Sequence, residues 1–186
     1  MISHEHKFIF IHTPKTAGSS IRMALDGKYD ELHKPHHSGI ESVKKQIQPE
    51  MFEVYFKFAF VRNPWDREVS RYHFIQRYKD PKNALVKFCQ TSFREYILAV
   101  IDRDVISYDT LKINGEYALD FIGKFENLQQ DFNIVCNEIG IQQQSLPHIQ
   151  KSTHKHYTEY YDDETRETVA QKYAEDIEYF DYKFGE

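Results

Sequence analysis

The feature that most constrains the fold is the stretch FIFIHTPKTAGSSIRMAL at residues 8–25. It opens with a run of apolar and β-branched residues, which predicts a buried strand. A turn of proline, lysine, threonine, glycine and serine follows, and the pattern then becomes that of a short helix. The sequence therefore predicts a strand, a loop suited to an anion, and a helix in immediate succession.

The loop in this unit carries groups that bind anions. Gly18 lets the backbone approach a ligand closely, and the hydroxyls of Thr16, Ser19 and Ser20 add donors. The N–H groups at the start of the helix point to the same place, and Lys15 adds a full positive charge. Taken alone, this stretch leaves open an ordinary strand-to-helix connection with a surface lysine.

A second unit, YFKFAFVRNPWDREVSRY at residues 55–72, repeats the arrangement. Its first part is dense in aromatic and β-branched residues and predicts another buried strand. Asn63 is a good N-cap and Pro64 suits the first helical position, so a helix is expected to begin directly after Arg62. Arg62 at the strand's end can reach over the same helix start as Ser70.

Two such units in succession predict an α/β fold with a central parallel sheet. Ligands of these sheets bind at the carboxyl ends of the strands, so both turns are expected on one edge. The rest of the chain predicts further elements, which are helices over residues 40–47, 83–100 and 127–139, a turn at Asn114-Gly115, a strand over residues 117–125, and a last helix capped by Asp162.

The composition narrows the possible function classes. The 186 residues suffice for one domain, residues 1–186, with a single core. A formal charge of -5 excludes a global basic field for nucleic acid or an anionic membrane. Cys89 and Cys136 fit reduced core thiols, and the N-terminus has neither a basic leader nor an apolar run long enough for a transmembrane segment. We therefore expect a soluble, cytoplasmic protein with a local anion site.

The segments PKTAGSS and FVRNPWDREVSRY resemble, in this order, the two nucleotide-binding signatures of sulfotransferases that use 3'-phosphoadenosine-5'-phosphosulfate (PAPS). The resemblance is closest to the carbohydrate-type sulfotransferase superfamily, with its PKTAGTS-like and FVRNPxDRxxSxY-like segments. The later segment DFIGKFENL also looks like part of that family. The resemblance implies a three-layer fold like that of P-loop NTPases, in which helices flank a central parallel sheet.

The resemblance also assigns residues to the PAPS site. It implies that the 5'-phosphosulfate is cradled by Lys15, Thr16, Ala17, Gly18, Ser19 and Ser20. It makes Arg62 and Ser70 the clamp on the 3'-phosphate, in agreement with the ability of a planar guanidinium to hold a phosphate through two hydrogen bonds. The implied reaction transfers a sulfonate group from PAPS to a hydroxyl or amine and leaves adenosine 3',5'-bisphosphate.

Two residue types are expected to act in catalysis. Lys15 is the candidate for stabilising charge on the oxygen that bridges sulfur and the departing phosphate. A histidine is the natural general base near neutral pH. The segment HHSGIESVKKQI resembles the family's histidine-containing stretch, which puts His37 in the position of the base with His36 as the alternative. The scheme needs no metal, because lysine, arginine and helix N–H groups neutralise the charge.

Other function classes match the sequence less well. A Walker loop of a kinase or NTPase has its lysine after the glycines, as GK[ST], whereas Lys15 precedes Gly18. The histidine-rich loops show neither HExxH nor a recognised zinc spacing. A catalytically inactive nucleotide-binding module stays open as the alternative. The acceptor is expected to be a carbohydrate or a small molecule, contacted by the loops at residues 28–39 and 141–161.

Overall fold

A computed structural model describes residues 1–30, 38–77, 92–100, 108–147 and 155–186. Its elements in chain order are β1 (Ile2–Ser3), β2 (Phe8–Ile11), α1 (Gly18–Ala24), α2 (Ile40–Lys44), α3 (Pro49–Val54), β3 (Phe56–Val61), α4 (Pro64–Gln76), α5 (Phe93–Val100), β4 (Lys112–Ile113), β5 (Glu116–Tyr117), β6 (Phe121–Lys124), α6 (Leu128–Glu138), α7 (Asp163–Lys172) and α8 (Ala174–Phe180). Short 3₁₀ turns cover Tyr108–Leu111, Phe125–Asn127 and Tyr157–Tyr160. None of the helices in these ranges is long and apolar enough to cross a membrane.

The chain divides into two compact units. The first contains Met1–Arg62 and Tyr108–Gln150, and the second contains Asn63–Ser107 and Lys151–Glu186. The first unit holds the sheets, and the second holds α4, α5, α7 and α8. That residues 1–186 act as one domain stays a prediction.

The central sheet of the first unit has four strands in the order β1, β2, β3, β6. β2 pairs with β3 in parallel, and β3 pairs with β6 in parallel, which agrees with the predicted topology. β1 instead runs antiparallel to β2, so the sheet is mixed, and the predicted central parallel sheet is confirmed for β2, β3 and β6 but not for β1. A tight turn before β2, with Lys7 at φ 49°, returns the chain alongside itself, and only antiparallel strands can be joined so briefly.

The core of the first unit lies on one face of this sheet. Phenylalanines at alternate positions of β2 and β3 share that face, and four of them are at most 1% exposed: Phe8, Phe10, Phe58 and Phe60. The rings of Phe10 and Phe58 stack with centroids 5.0 Å apart. Side chains of α1 and α6 pack against them, among them Ile21 and Phe132. The residues between the phenylalanines are also buried, which explains the continuous apolar pattern of these strands.

Two predicted boundaries in the first unit are corrected. The helix predicted over residues 40–47 ends at Lys44, and a separate helix, α3, begins at Pro49. Proline fits there because a first helical residue needs no N–H donor. The predicted strand over residues 117–125 is split, because Tyr117 belongs to a hairpin with β4 and the next strand begins at Phe121. The predicted turn is confirmed, with Asn114 and Gly115 both at positive φ.

The helix starts of the second unit follow the predicted caps. The Asn63 side chain accepts a hydrogen bond from the Trp65 N–H at 3.2 Å, and Pro64 is the first residue of α4. Asp162 forms a capping box with Thr165 at the start of α7. The last helix is not continuous, however, since the chain breaks at Tyr173 into α7 and α8.

A buried polar cluster lies inside the second unit. The Glu68 carboxylate accepts hydrogen bonds from the hydroxyls of Tyr96 at 2.9 Å and Tyr173 at 2.6 Å. Burial and the charge of Glu68 raise the pKa of Tyr173 far above its usual range, so this phenol stays protonated and donates. The guanidinium of Arg67 lies over the Tyr173 ring at 4.9 Å. This cluster ties α4 to α5 and to the junction of α7 and α8.

The cysteine and helix predictions are tested only in part. Cys136 is a buried free thiol, as predicted, whereas Cys89 lies outside the described residues. The helix predicted over residues 83–100 is confirmed from Phe93 onward, and its earlier part also lies outside them.

Candidate functional site

The carboxyl ends of the three parallel strands meet at one edge of the central sheet. Ile11 pairs with Ala59, and Val61 pairs with Lys124, so β2, β3 and β6 end side by side. The loop over residues 12–17 follows β2, Arg62 follows β3, and Phe125 follows β6. The prediction that both turns lie on one edge is thereby confirmed for the loop and for Arg62, which belong to the first unit.

The loop over residues 12–17 turns sharply on two residues with left-handed backbones. Lys15 has φ 67° and Ala17 has φ 62°, a conformation that costs an L-residue about 1–2 kcal/mol. Such strained residues cluster at functional sites. The Ala17 carbonyl accepts hydrogen bonds from the N–H groups of Ser20 and Ile21, which closes the first turn of α1. The N–H groups that come earlier in a helix have no acceptor within it, and here they belong to Gly18 and Ser19.

The hydroxyl of Thr16 is turned into the protein. Thr16 has 0% exposure, and its Oγ1 lies 2.7 Å from Thr13 Oγ1 and 3.0 Å from the Thr13 carbonyl oxygen. The Thr13 hydroxyl in turn donates to the Phe60 carbonyl of β3. The two threonines therefore fasten the loop to the neighbouring strand. Thr16 can bind an anion through its backbone N–H, whereas its side-chain hydroxyl holds the loop in place.

Gly18 also makes a close contact within the protein. It is the first residue of α1, and a Cβ atom at this position would overlap the His12 ring at Cδ2 and Nε2. The His12 ring itself packs parallel to Phe10, with centroids 6.0 Å apart. The glycine therefore lets the start of α1 lie directly on the end of β2.

We expect Gly18→Ala to destabilise the protein by about 1–3 kcal/mol, because the added methyl displaces the His12 ring. In a His12→Ala background the same change should be neutral or slightly stabilising, since alanine is the better helix former. Urea unfolding of the wild type, both single variants and the double variant measures this coupling. Equal costs of Gly18→Ala in both backgrounds would show that the two residues are independent.

Arg62 connects the end of β3 to the loop. Its Nη1 donates to the Lys15 carbonyl oxygen at 3.2 Å, and its guanidinium carbon lies 3.9 Å from the centroid of the Phe125 ring. The side chain is largely buried, with 8% of the residue exposed. The loop backbone at Lys15 and the strand-end arginine, separated by 47 positions, are thereby in direct contact.

The remaining predicted site residues belong to the second unit or lie outside the described residues. Ser70 is buried on α4 and belongs to the second unit, so its partnership with Arg62 stays a prediction. Both candidates for the general base, His36 and His37, lie outside the described residues. Among the residues that are described, no group of three or more histidine, cysteine, aspartate or glutamate side chains is arranged to hold a metal ion.

Sequence reasoning missed two residues that contact Arg62. Phe125 lies in the segment DFIGKFENL, whose apolar pattern indicated only a strand. Tyr108 is separated from every motif, and its hydroxyl hydrogen-bonds to the Arg62 backbone. The pattern gave no signal for Tyr108, because a single tyrosine in a polar stretch is typical of many surface turns.

Comparison with known proteins gives the family. The model of the sulfotransferase family matches residues 1–183. Carbohydrate sulfotransferase 11 of Rattus norvegicus is 26% identical over an alignment that covers 76% of this chain and 53% of that protein. Carbohydrate sulfotransferase 9 of Homo sapiens is 24% identical over an alignment that covers 95% of this chain and 47% of that protein. The chain thus spans about half the length of these two relatives.

A further relative is an uncharacterized protein of Archaeoglobus fulgidus, which is 32% identical over 103 residues, covering 53% of this chain and 79% of that protein. No solved structure matches the chain significantly. The family model, however, covers almost the whole chain. The protein therefore belongs to the sulfotransferase family.

Proposed function

We propose that this protein transfers a sulfonate group from PAPS to a hydroxyl or amine of an acceptor. The observation that supports the proposal is the hydrogen bond from Arg62, which belongs to the second PAPS-type signature, to the Lys15 carbonyl in the loop of the first. The family match supports the same class of reaction. In this proposal the mixed sheet and its helices form a P-loop-like three-layer fold.

The donor groups at the edge fit a ligand with two separated phosphates. Lys15 and Arg62 supply two positive charges, and the first N–H groups of α1 supply neutral donors. We assign the 5'-phosphosulfate to the loop of Lys15, Thr16, Ala17, Gly18, Ser19 and Ser20, with Thr16 contributing its N–H group. The 3'-phosphate is assigned to Arg62 and, from the sequence motif, to Ser70.

Bound PAPS supplies an activated sulfonate and a stable leaving group. The acceptor oxygen or nitrogen forms the new bond to sulfur, while the bond from sulfur to the bridging oxygen breaks and its electron pair leaves with adenosine 3',5'-bisphosphate. His37, or His36 in its place, takes the acceptor proton. Lys15 stabilises the negative charge that grows on the bridging oxygen, an interaction that is stronger in the transition state than before it.

The acceptor is proposed to be a carbohydrate or a small molecule with a free hydroxyl or amine. Two of the relatives are named carbohydrate sulfotransferases, which favours a glycan. Incubation with labelled PAPS and a panel of mono- and oligosaccharides and of non-carbohydrate hydroxyl compounds tests this assignment. Labelled sugar is the expected product, whereas labelled non-carbohydrate hydroxyl compounds alone would restrict the acceptor to small metabolites.

Calorimetry with two nucleotides of the same phosphate number tests the donor site. We expect adenosine 3',5'-bisphosphate to bind roughly 100-fold more tightly than adenosine 5'-diphosphate, because each charge-assisted hydrogen bond to a phosphate contributes about 1.5–3 kcal/mol. Equal affinities would contradict a 3'-phosphate clamp. Selective binding of the 3',5'-bisphosphate without transfer to any acceptor would instead identify a catalytically inactive nucleotide-binding module.

A further inference from the structure

The backbone of Arg62 is held by a single buried hydroxyl. The Arg62 N–H donates to Tyr108 Oη at 2.8 Å, and the Tyr108 hydroxyl donates to the Arg62 carbonyl oxygen at 3.1 Å. Tyr108 has 0% exposure and opens the 3₁₀ turn Tyr108–Leu111. A tyrosine hydroxyl has one donor and also accepts, so both functions are used on the same residue. This bracket fixes the point where the chain leaves β3.

The side chain of Arg62 is held on a second side by an aromatic face. Its guanidinium carbon lies 3.9 Å from the Phe125 ring centroid, within the range of a cation–π contact. Phe125 directly follows β6, the strand that pairs with β3. The hydrogen bonds from Tyr108 fix the Arg62 backbone, and the Phe125 ring packs against the side chain. The guanidinium therefore has few possible orientations. In the one it adopts, Nη1 donates to the Lys15 carbonyl oxygen.

That carbonyl belongs to a strained residue of the loop. Lys15 has φ 67°, and such a left-handed conformation persists in a residue other than glycine only where the surroundings hold it. The Lys15 carbonyl and the Thr16 N–H belong to the same planar peptide. The direction of the carbonyl therefore sets the direction of this N–H and constrains the N–H groups that follow it. A donor fixed at this carbonyl therefore stabilises the loop in the conformation that presents those groups.

We propose that Tyr108 is a positioning residue which acts through Arg62 on the loop at Lys15. Arg62 then has two functions, since it binds the 3'-phosphate and also keeps the 5'-phosphosulfate loop in shape before any ligand arrives. This inference rests on the proposed function only for the identity of the ligands. The loop conformation itself is a property of the free protein.

The first test uses ligands with and without the 3'-phosphate. Tyr108→Phe keeps the buried ring and removes the hydroxyl, so we expect adenosine 5'-diphosphate to lose affinity about 3- to 10-fold and adenosine 3',5'-bisphosphate to lose at least as much. A loss confined to the 3',5'-bisphosphate would overturn the proposal, because it would mean that Tyr108 affects only the phosphate clamp. Phe125→Leu, which removes the aromatic face from a half-buried position, should reproduce the pattern.

Tyr55→Phe is the matched control. Tyr55 directly precedes β3, at the end opposite to Arg62, and its buried hydroxyl hydrogen-bonds to His4 Nδ1 at 2.8 Å. This variant loses a tyrosine hydroxyl in the same unit and strand region but away from the loop. We expect unchanged affinity for both nucleotides. A loss equal to that of Tyr108→Phe would assign the effect to general destabilisation and overturn the proposal.

Hydrogen exchange of the ligand-free proteins separates this inference from the proposed function. Peptides covering residues 12–21 should exchange at least about 3-fold faster in Tyr108→Phe than in the wild type, with no change in Tyr55→Phe. Unchanged exchange in these peptides would overturn the positioning of the loop, whatever the protein binds. Faster exchange in a protein that binds neither nucleotide would support the positioning inference and refute the proposed donor.

Discussion

Replacing Lys15 with methionine lowers the rate of sulfonate transfer by about 100- to 1,000-fold, the usual cost of removing one preorganised donor to developing charge. Binding of adenosine 3',5'-bisphosphate should fall far less, because in this product the former bridging oxygen is one of several 5'-phosphate oxygens and no bond to sulfur is breaking. Single-turnover kinetics with labelled PAPS measures the first quantity, and calorimetry measures the second. The loss should appear in kcat rather than in the donor KM.

Lys7→Met is the control for this variant. Lys7 is an exposed lysine with φ 49°, so it shares the left-handed backbone of Lys15 but lies before β2, away from the carboxyl edge of the sheet. Comparing the two variants separates the loss of charge from any backbone effect of methionine at positive φ. Full activity of Lys15→Met, or an equal loss in Lys7→Met, would remove Lys15 from its proposed part in catalysis.

β2, β3 and the start of α4 were predictable because their local sequence pattern agrees with the structure. The phenylalanine and isoleucine runs of β2 and β3 are buried on both faces, so their sequences read as strands without ambiguity. Asn63 and Pro64 fix the start of α4 through their own backbone chemistry. Where a residue's local preference suffices, sequence reasoning gave the correct boundary.

The errors arise where a distant contact decides the local structure. The predicted strand over residues 117–125 breaks before Asp120, whose carboxylate accepts hydrogen bonds from the Lys57 N–H at 2.7 Å and lies 2.9 Å from Lys57 Nζ. Lys57 is 63 positions away, so no window of the sequence contains this interaction. β1 was also not predicted, because two residues are too few to show a periodic pattern in the sequence.

In the candidate site, too, local features were predictable from the sequence and distant contacts were not. Residue types predicted an anion loop and a strand-end arginine, and the hydrogen bond between Arg62 and Lys15 brings them together. The inward hydroxyl of Thr16 and the bracket from Tyr108 were not predictable, since each depends on a strand or turn supplied by another part of the chain. The sequence thus indicates which groups are present, whereas the fold decides which of them face a ligand.

Replacing His37 with alanine should lower the acceptor-dependent transfer rate by about 100- to 10,000-fold, the range for loss of a positioned general base. Only the neutral imidazole accepts a proton, so the wild-type rate should rise with pH through the region near about 6.5 where histidine ordinarily titrates. In His37→Ala this rise should disappear. Affinity for adenosine 3',5'-bisphosphate should not change, because a base for the acceptor does not contact the nucleotide product.

The adjacent His36 makes the matched control. His36→Ala removes an imidazole of the same kind one position away, so it changes local charge and polarity in nearly the same manner. Retained activity and a retained pH rise in His36→Ala, against their loss in His37→Ala, would identify His37 as the base. The reverse pattern would move the base to His36. If the transfer rate still rises with pH in both variants, neither histidine takes the proton, because the pH dependence of the rate reflects the ionisation of the base that acts in the rate-limiting transfer.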